Sequence, residues 1–265
     1  MRFPIPCDKQ RFRLKLGLYL NEPTSLILVG SDSDRPNTVY VSRRVNFTAE
    51  DCAGGDAYKE VTIPFPLAPE NMLFEIWDEN YPEQRTFELL TLEVEMMEPM
   101  EIWEHPDIHS FIPFASWFAQ KSGFIKTGIY DSPDHRFLIE YMPVIKDDFG
   151  QPLITPARTS RANGRIQVSQ SHFLPLSVPI RWFILMHERK HFQLPTRIEK
   201  VADLTALRVF LDFGFPKVEA IYACTMAMNA DNIPALKAKT QRLKDIHAFV
   251  DEYIRQKANP KKQAA

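Results

Sequence analysis

The chain is poor in cysteine. Cys7, Cys52 and Cys224 are its only three, odd in number and far apart, which excludes a disulfide framework and a CxxC metal knuckle and fits a reducing compartment. It has no apolar run of about 18 residues, so no membrane-spanning helix is expected. Its first residues, MRFPIPCDKQ, have no apolar stretch of the signal-peptide kind, so a soluble protein outside the general export route is expected. An excess of one charge sign is missing as well. With 32 Lys and Arg against 34 Asp and Glu, the formal charge is −2, too little to gather nucleic acid by counterion release, and nucleic acid is not expected as the primary ligand. There is no internal repeat and no low-complexity segment.

What is present is apolar material. Over 265 residues, 45 % hydrophobic and 12 % aromatic content suffices for one large core or two ordinary domains without staples. The first hundred residues alternate with period two: in RFRLKLGLYL, Phe12, Leu14, Leu16, Leu18 and Leu20 share one face opposite Arg11, Arg13 and Lys15. Similar runs follow at SLILV, TVYVSRRVNF, KEVTIPF, LFEIWD and FELLTLEVEM, separated by turn residues. Six strands so spaced predict an antiparallel β-sandwich or barrel over residues 1–99.

Near Glu98-Pro99 the period changes. SFIPFASWFAQKSG places Phe111, Phe114, Ala115 and Phe118 at helical spacing before Gly123, and FLIEYMPVI and GRIQVSQSHF read as strands around a loop rich in Pro, Gly, Arg and Ser. Helices follow: Ser177 can cap VPIRWFILMHERKHF, Thr196 can cap RIEKVADLTALRVFLDF, and Gly214-Phe215-Pro216 supplies a stop. Two more helices are expected from Pro216 to Asn229 and from Ile233 to Gln256, and the polar tail KANPKKQAA should be loose. The expected fold class is α+β, with a second domain over 100–265.

His187, Glu188 and His191 form H-E-x-x-H on a predicted helix, where positions four apart share a face and both imidazoles can reach one ion. A catalytic zinc site needs three protein ligands and an open position. The next helix returns antiparallel after about five residues, which sets Glu199 opposite His191 and Asp203 opposite His187. Thr196-x-x-Glu199 is also a capping box; if Glu199 turns back to the cap, Asp203 becomes the better third ligand.

H-E-x-x-H followed by E-x-x-A-D, here Glu199 to Asp203, resembles the zincin metallopeptidases of the gluzincin type. It is especially similar to short-loop HExxH proteins of phages and their bacterial hosts, in which such a helix follows closely and ends in a Gly-aromatic pair. The likeness covers residues 165–225 and leaves the N-terminal domain aside. It implies one zinc ion held by His187, His191 and Glu199, with Glu188 as general base and Asp203 behind a histidine ligand, fixing its tautomer. It also implies an edge strand beside the metal that aligns an extended substrate by backbone pairing, for which GRIQVSQSHF is the candidate. The function implied is a zinc-dependent metallopeptidase. The alternative is a structural phage virion protein of the neck, tail or ring, built on the same fold with a structural or vestigial metal site. Partners would be proteins or peptides, within an oligomeric assembly, in a virion or the cytoplasm.

One departure favours the structural reading. The two residues inside HExxH are Arg189 and Lys190, which predicts an exposed or interface-facing helix flank. Tyr222 and His172 are candidates for stabilising a transition state. His105, His109 and His135 belong to loop sequence expected to face water, and His247 to a charged helix face. Phe111, Phe114, Trp117 and Phe118 read as core, with Trp182 and Phe183 packing the HExxH helix. Arg158, Arg161 and Arg165 read as a solvated loop, and Lys237, Lys239, Arg242 and Lys244 as the exposed face of the last helix.

Overall fold

The computed structural model describes residues 1–52, 57–84, 86–98, 102, 105–196, 198–230 and 236–258, without the side chains of 227–230, 236–239 and 258. Pro99 and the tail from Asn259 lie outside the described residues, as do the side chains of Lys237 and Lys239. The chain divides into two compact units, Met1–Met100 and Glu101–Ala265. Its class is α+β with mostly antiparallel sheets.

The first unit contains β1 (Arg2–Pro6), β2 (Phe12–Leu20), β3 (Thr24–Asp32), β4 (Val39–Phe47), the short helix α1 (Ala49–Cys52), β5 (Tyr58–Phe65), β6 (Asn71–Asp78) and β7 (Phe87–Met96). The strands make two antiparallel sheets, ordered β1-β6-β3-β4 and β5-β2-β7. Alternation sets the register. Phe12, Leu14, Leu16, Leu18 and Leu20 are buried on β2, and Met72, Phe74 and Ile76 are buried on β6. The inward faces meet where Phe65 of β5 packs edge-on against Phe74 of β6, ring centroids 6.3 Å apart. Each such large side chain contributes on the order of 1.5–3 kcal/mol by leaving water. The sequence does not predict β1, because RFPIP is short and carries two prolines. It pairs only with β6, at the sheet edge, where a missing N–H breaks no ladder.

The second unit opens with α2 (Pro106–Lys121), starting at a proline four residues before the expected helix. Its buried side includes Phe111, Phe114, Ala115 and Phe118; Trp117 differs from its expected core position in being 41 % exposed. Four short strands follow, β8 (Gly128–Asp131), β9 (Leu138–Met142), β10 (Ala157–Thr159) and β11 (Ile166–Ser169). Their order is β10-β11-β9-β8, with β11 parallel to β9 and the other pairs antiparallel. The helices are α3 (Gln170–Phe173), α4 (Val178–Gln193), α5 (Glu199–Asp212), α6 (Lys217–Ala230) and α7 (Leu236–Ala258). Trp182 anchors α4, stacked on Phe213 with centroids 4.8 Å apart and donating its indole N–H to Ser116 Oγ on α2 at 2.9 Å. Gly214, at φ 103°, ends α5 in the left-handed conformation that glycine tolerates best, and the Phe215 N–H closes back on the Phe210 carbonyl at 3.3 Å.

Two expectations are corrected here. GRIQVSQSHF is not the sheet edge: its strand β11 lies between β10 and β9, and its last residues turn into α3. The edge next to it is β10, within TPARTS, three residues long and too short to show a period. The flank of the HExxH helix is not exposed either, since Arg189 and Lys190 are both buried.

Candidate metal centre

The site is built on α4 and α5. Helix α4 starts at Val178 after Ser177, with proline in its first turn, and carries His187, Glu188 and His191 in its last two turns. The helix is buried on nearly every side, with Ile180, Trp182, Phe183, Ile184, Leu185 and Met186 packed inside, so its histidines are drawn inside with it. The capping box does not form. Helix α5 begins at Glu199 itself with Ile198 as the cap residue, and the Thr196 hydroxyl accepts the Ile198 N–H at 3.0 Å. The Glu199 side chain is therefore free of the cap and turns to the histidines.

His187 Nε2 and His191 Nε2 lie 3.1 Å apart, and Glu199 Oε2 is 3.3 Å from the first and 3.4 Å from the second. Metal–ligand bonds of about 2.0–2.1 Å at tetrahedral angles put neighbouring ligand atoms roughly 3.3–3.4 Å apart. The three donors thus span one face of a tetrahedron of the right size, and this group could hold a metal ion.

The outer nitrogens set the direction of the inner ones. His191 Nδ1 faces the Thr196 carbonyl at 3.0 Å. His187 Nδ1 lies 3.1 Å from Asp203 Oδ1, with the carboxylate off the line of an ideal hydrogen bond. With an acceptor beside each Nδ1, the proton of a neutral ring belongs there, and with both rings neutral two Nε2 lone pairs would point at each other. Such an arrangement repels unless a cation lies between them.

The titration behaviour has the same origin. Burial alone would lower the His187 pKa, but Asp203, Glu199 and the field of Glu188 outweigh it and push it up to about 10. His191 is also raised: burial opposes this, and Glu199 with the Thr196 carbonyl overcomes it. Glu199 is buried enough to be raised, yet the two imidazoles hold it far below the usual carboxylate range. The cluster carries more negative charge than neutral imidazoles can offset, so it attracts positive charge, whether protons or metal.

Glu188, half-buried, is shifted the other way: desolvation raises its pKa against the pull of His187. The Thr159 hydroxyl of β10 donates to the Glu188 backbone carbonyl at 2.8 Å, tying the edge strand to α4 at this residue. Asp203 is 1 % exposed and held below its ordinary pKa, with His187 and Arg242 overcoming its burial.

The structure brings His187, His191 and Glu199 together on the Nε2 side and sets Asp203 on the Nδ1 side of His187. Of the two distal candidates, His172 is engaged by the hydroxyls of Ser169 and Ser171, both at 3.0 Å, and Tyr222 is exposed on α6. His109, His135 and His247 are exposed, and His105 caps α2, its Nδ1 accepting the Asp107 N–H at 3.2 Å.

Two residues at the site were misread from sequence. Arg189 is 6 % exposed, with Nε 2.9 Å from Asp107 Oδ2 and Nη2 2.8 Å from Asp107 Oδ1, a two-point grip that fixes the rotation of α4. Its guanidinium also lies over the rings of Phe137 and Phe192, each 4.8 Å away. Arg242, assigned to an exposed face, is buried against Asp203. A signal for it existed: Arg242, Ile246 and Val250 recur every four residues and form the buried stripe of α7.

No family model matches the chain, and no curated protein or solved structure does.

Proposed function

We propose that the chain is a zinc-dependent metallopeptidase-like hydrolase in which His187, His191 and Glu199 hold the ion and Glu188 is the general base. The carrying observation is the donor triangle of 3.1, 3.3 and 3.4 Å beside a desolvated carboxyl. Structural zinc sites close with four protein ligands, whereas hydrolytic ones keep a position free. Among the described residues the group has three members, and Glu199 leaves 44 % of its side chain open to solvent. A bound zinc ion would supply Lewis acidity toward a carbonyl oxygen and toward water. The rest falls to the protein. Glu188, raised by burial, accepts a proton from the attacking water and passes it to the leaving amine. Asp203 and the Thr196 carbonyl keep both histidines in the tautomer that offers Nε2. The backbone of β10, tied to Glu188 by Thr159, is the edge on which an extended peptide would pair.

The test is zinc stoichiometry by elemental analysis, with proteolysis assayed alongside. About one zinc per chain is expected, absent from His187→Ala and His191→Ala. Glu188→Gln should keep the zinc and lose hydrolysis on the order of a hundredfold or more. A zinc-free wild type after reconstitution would overturn the reading.

A second reading is a structural subunit of a phage particle built on the same site. The burial of Arg189 and Lys190 removes one of its supports and leaves the appended β-domain. What favours it now is β7, whose Leu90, Leu92, Val94 and Met96 are exposed on an edge strand. Zinc retained without any Glu188-dependent hydrolysis, in a chain that self-associates, would bring this reading forward.

A further inference from the structure

Helix α7 places an arginine where its buried stripe calls for an apolar side chain. Arg242 precedes Ile246 and Val250 on that stripe and is 8 % exposed, while Gln241 and Lys244 beside it face solvent. A buried guanidinium is costly unless it is paired and hydrogen-bonded. Its partner is Asp203: Arg242 Nη2 donates to Oδ1 at 2.7 Å, and Nε donates to Oδ2 in a short contact. Oδ1 is the atom that lies 3.1 Å from His187 Nδ1. The same Nη2 is 3.6 Å from Glu199 Oε2. One side chain from the last helix thus reaches both the carboxylate behind one metal-binding histidine and the third ligand itself. A simple tie between helices would need only an exposed pair such as Lys200 with Asp245, 2.9 Å apart, which joins α5 to α7 nearby.

We propose that Arg242 is a positioning residue of the metal centre, and that through it metal binding and the docking of α7 are coupled. The proposal rests on the metal-centre reading above. The two-point grip prevents Asp203 from rotating and so keeps Oδ1 against His187 Nδ1. An ion that needs His187 in that tautomer is bound more tightly when α7 is docked. By reciprocity the ion holds α7 in place.

The test uses the full chain, zinc as the ligand, competition against a chromophoric chelator for affinity, and amide hydrogen exchange over residues 240–257. Arg242→Lys is the informative variant, because it keeps the charge and removes the fork. Zinc should slow exchange across α7 in the wild type. The lysine variant should bind zinc about tenfold more weakly or worse, in the range seen when residues supporting metal ligands are changed, and should lose that slowing. Circular dichroism establishes that the variant is folded, and exchange in the wild type supplies a second reading that needs no variant. A folded lysine variant with wild-type zinc affinity overturns the proposal, because a merely structural tie would lower stability and leave affinity alone. Exchange over α7 that ignores zinc in the wild type also overturns it. A wild type that takes up no zinc overturns the metal-centre reading and this inference together, whereas zinc uptake insensitive to Arg242 overturns the inference alone.

Discussion

The two units bury different chemistry. In Met1–Met100 the described buried polar side chains are Thr24, Ser31, Thr38, Asp78 and Thr86, and Asp78 is the charged one among them. It is satisfied locally by the Thr86 hydroxyl at 2.7 Å, the Thr24 hydroxyl, and the N–H groups of Asn80 and Tyr81 at 2.8 and 3.1 Å. In the second unit Arg181, His187, Arg189, Lys190, His191, Asp203, Asp212 and Arg242 are all buried. A β layer whose residues alternate in and out can send its charges to water, so its interior stays apolar. The HExxH helix, buried on nearly every side, cannot. It carries charged residues inward, and some are matched from other helices, Arg189 by Asp107 on α2 and His187 by Asp203 on α5, with Asp203 also gripped by Arg242 of α7, while Lys190 reaches Gln193 on its own helix at 3.0 Å. Stability in the first unit is therefore a matter of packing, whereas the second adds matched buried charges to a packed aromatic core.

Removing one member of a buried charge set should do the most damage. Asp203→Ala strands Arg242 and leaves His187 without its acceptor, and urea unfolding should show a loss of about 3–5 kcal/mol. A loss below about 1 kcal/mol would mean that water already reaches the pair and that the contrast between units is weaker than drawn here. In the first unit the matching change is Leu14→Ala, at a fully buried position on β2. The cavity should cost about 2–5 kcal/mol, with no effect on zinc uptake.

The pH response separates the units further. In metal-free protein the folded His187 pKa is raised to about 10 from an ordinary 6.5. Its stabilisation is accordingly complete below the lower value and disappears as pH climbs to the higher one. The denaturation midpoint of the zinc-free chain should fall steadily over that window and the fall should vanish in His187→Gln; a flat wild-type profile would contradict it. The smallest effect belongs to the exposed side of the first unit. Lys15→Ala removes the Lys15–Glu95 ion pair, 2.5 Å long and half-exposed, and the loss in unfolding free energy should stay below about 1 kcal/mol.

Much of the first unit is legible in the sequence, because a period of two survives in any single strand. Phe12 to Leu20 announce their face without reference to the rest of the chain. β1 escapes, since its pairing with β6 is nonlocal and its prolines argue against a strand until its edge position is known. In the second unit the helices and the stop at Gly214 are legible for the same local reason. Burial is not. Arg189, Lys190 and Arg242 read as solvated because charge usually means solvent; the four-residue recurrence of Arg242 with Ile246 and Val250 marks its buried stripe, but the sequence holds no mark that Asp107 stands opposite Arg189 or Asp203 opposite Arg242. The capping box fails similarly: Thr196 and Glu199 have the right spacing, but α5 begins three residues after Thr196, and Glu199 lies within reach of two imidazoles.

The sequence by itself determined what is local: the alternation of the strands, the helical spacing that puts His187 and His191 on one face, and the order of donor residues across a tight helix pair. Only the tertiary structure decided which nitrogen of each histidine faces inward, where Glu199 points, which strand forms the edge beside Glu188, and that Arg242 stands behind Asp203. Backbone periodicity arises from neighbours in the chain, whereas the pairing of buried charges arises from residues tens of positions apart that only packing brings within hydrogen-bond reach.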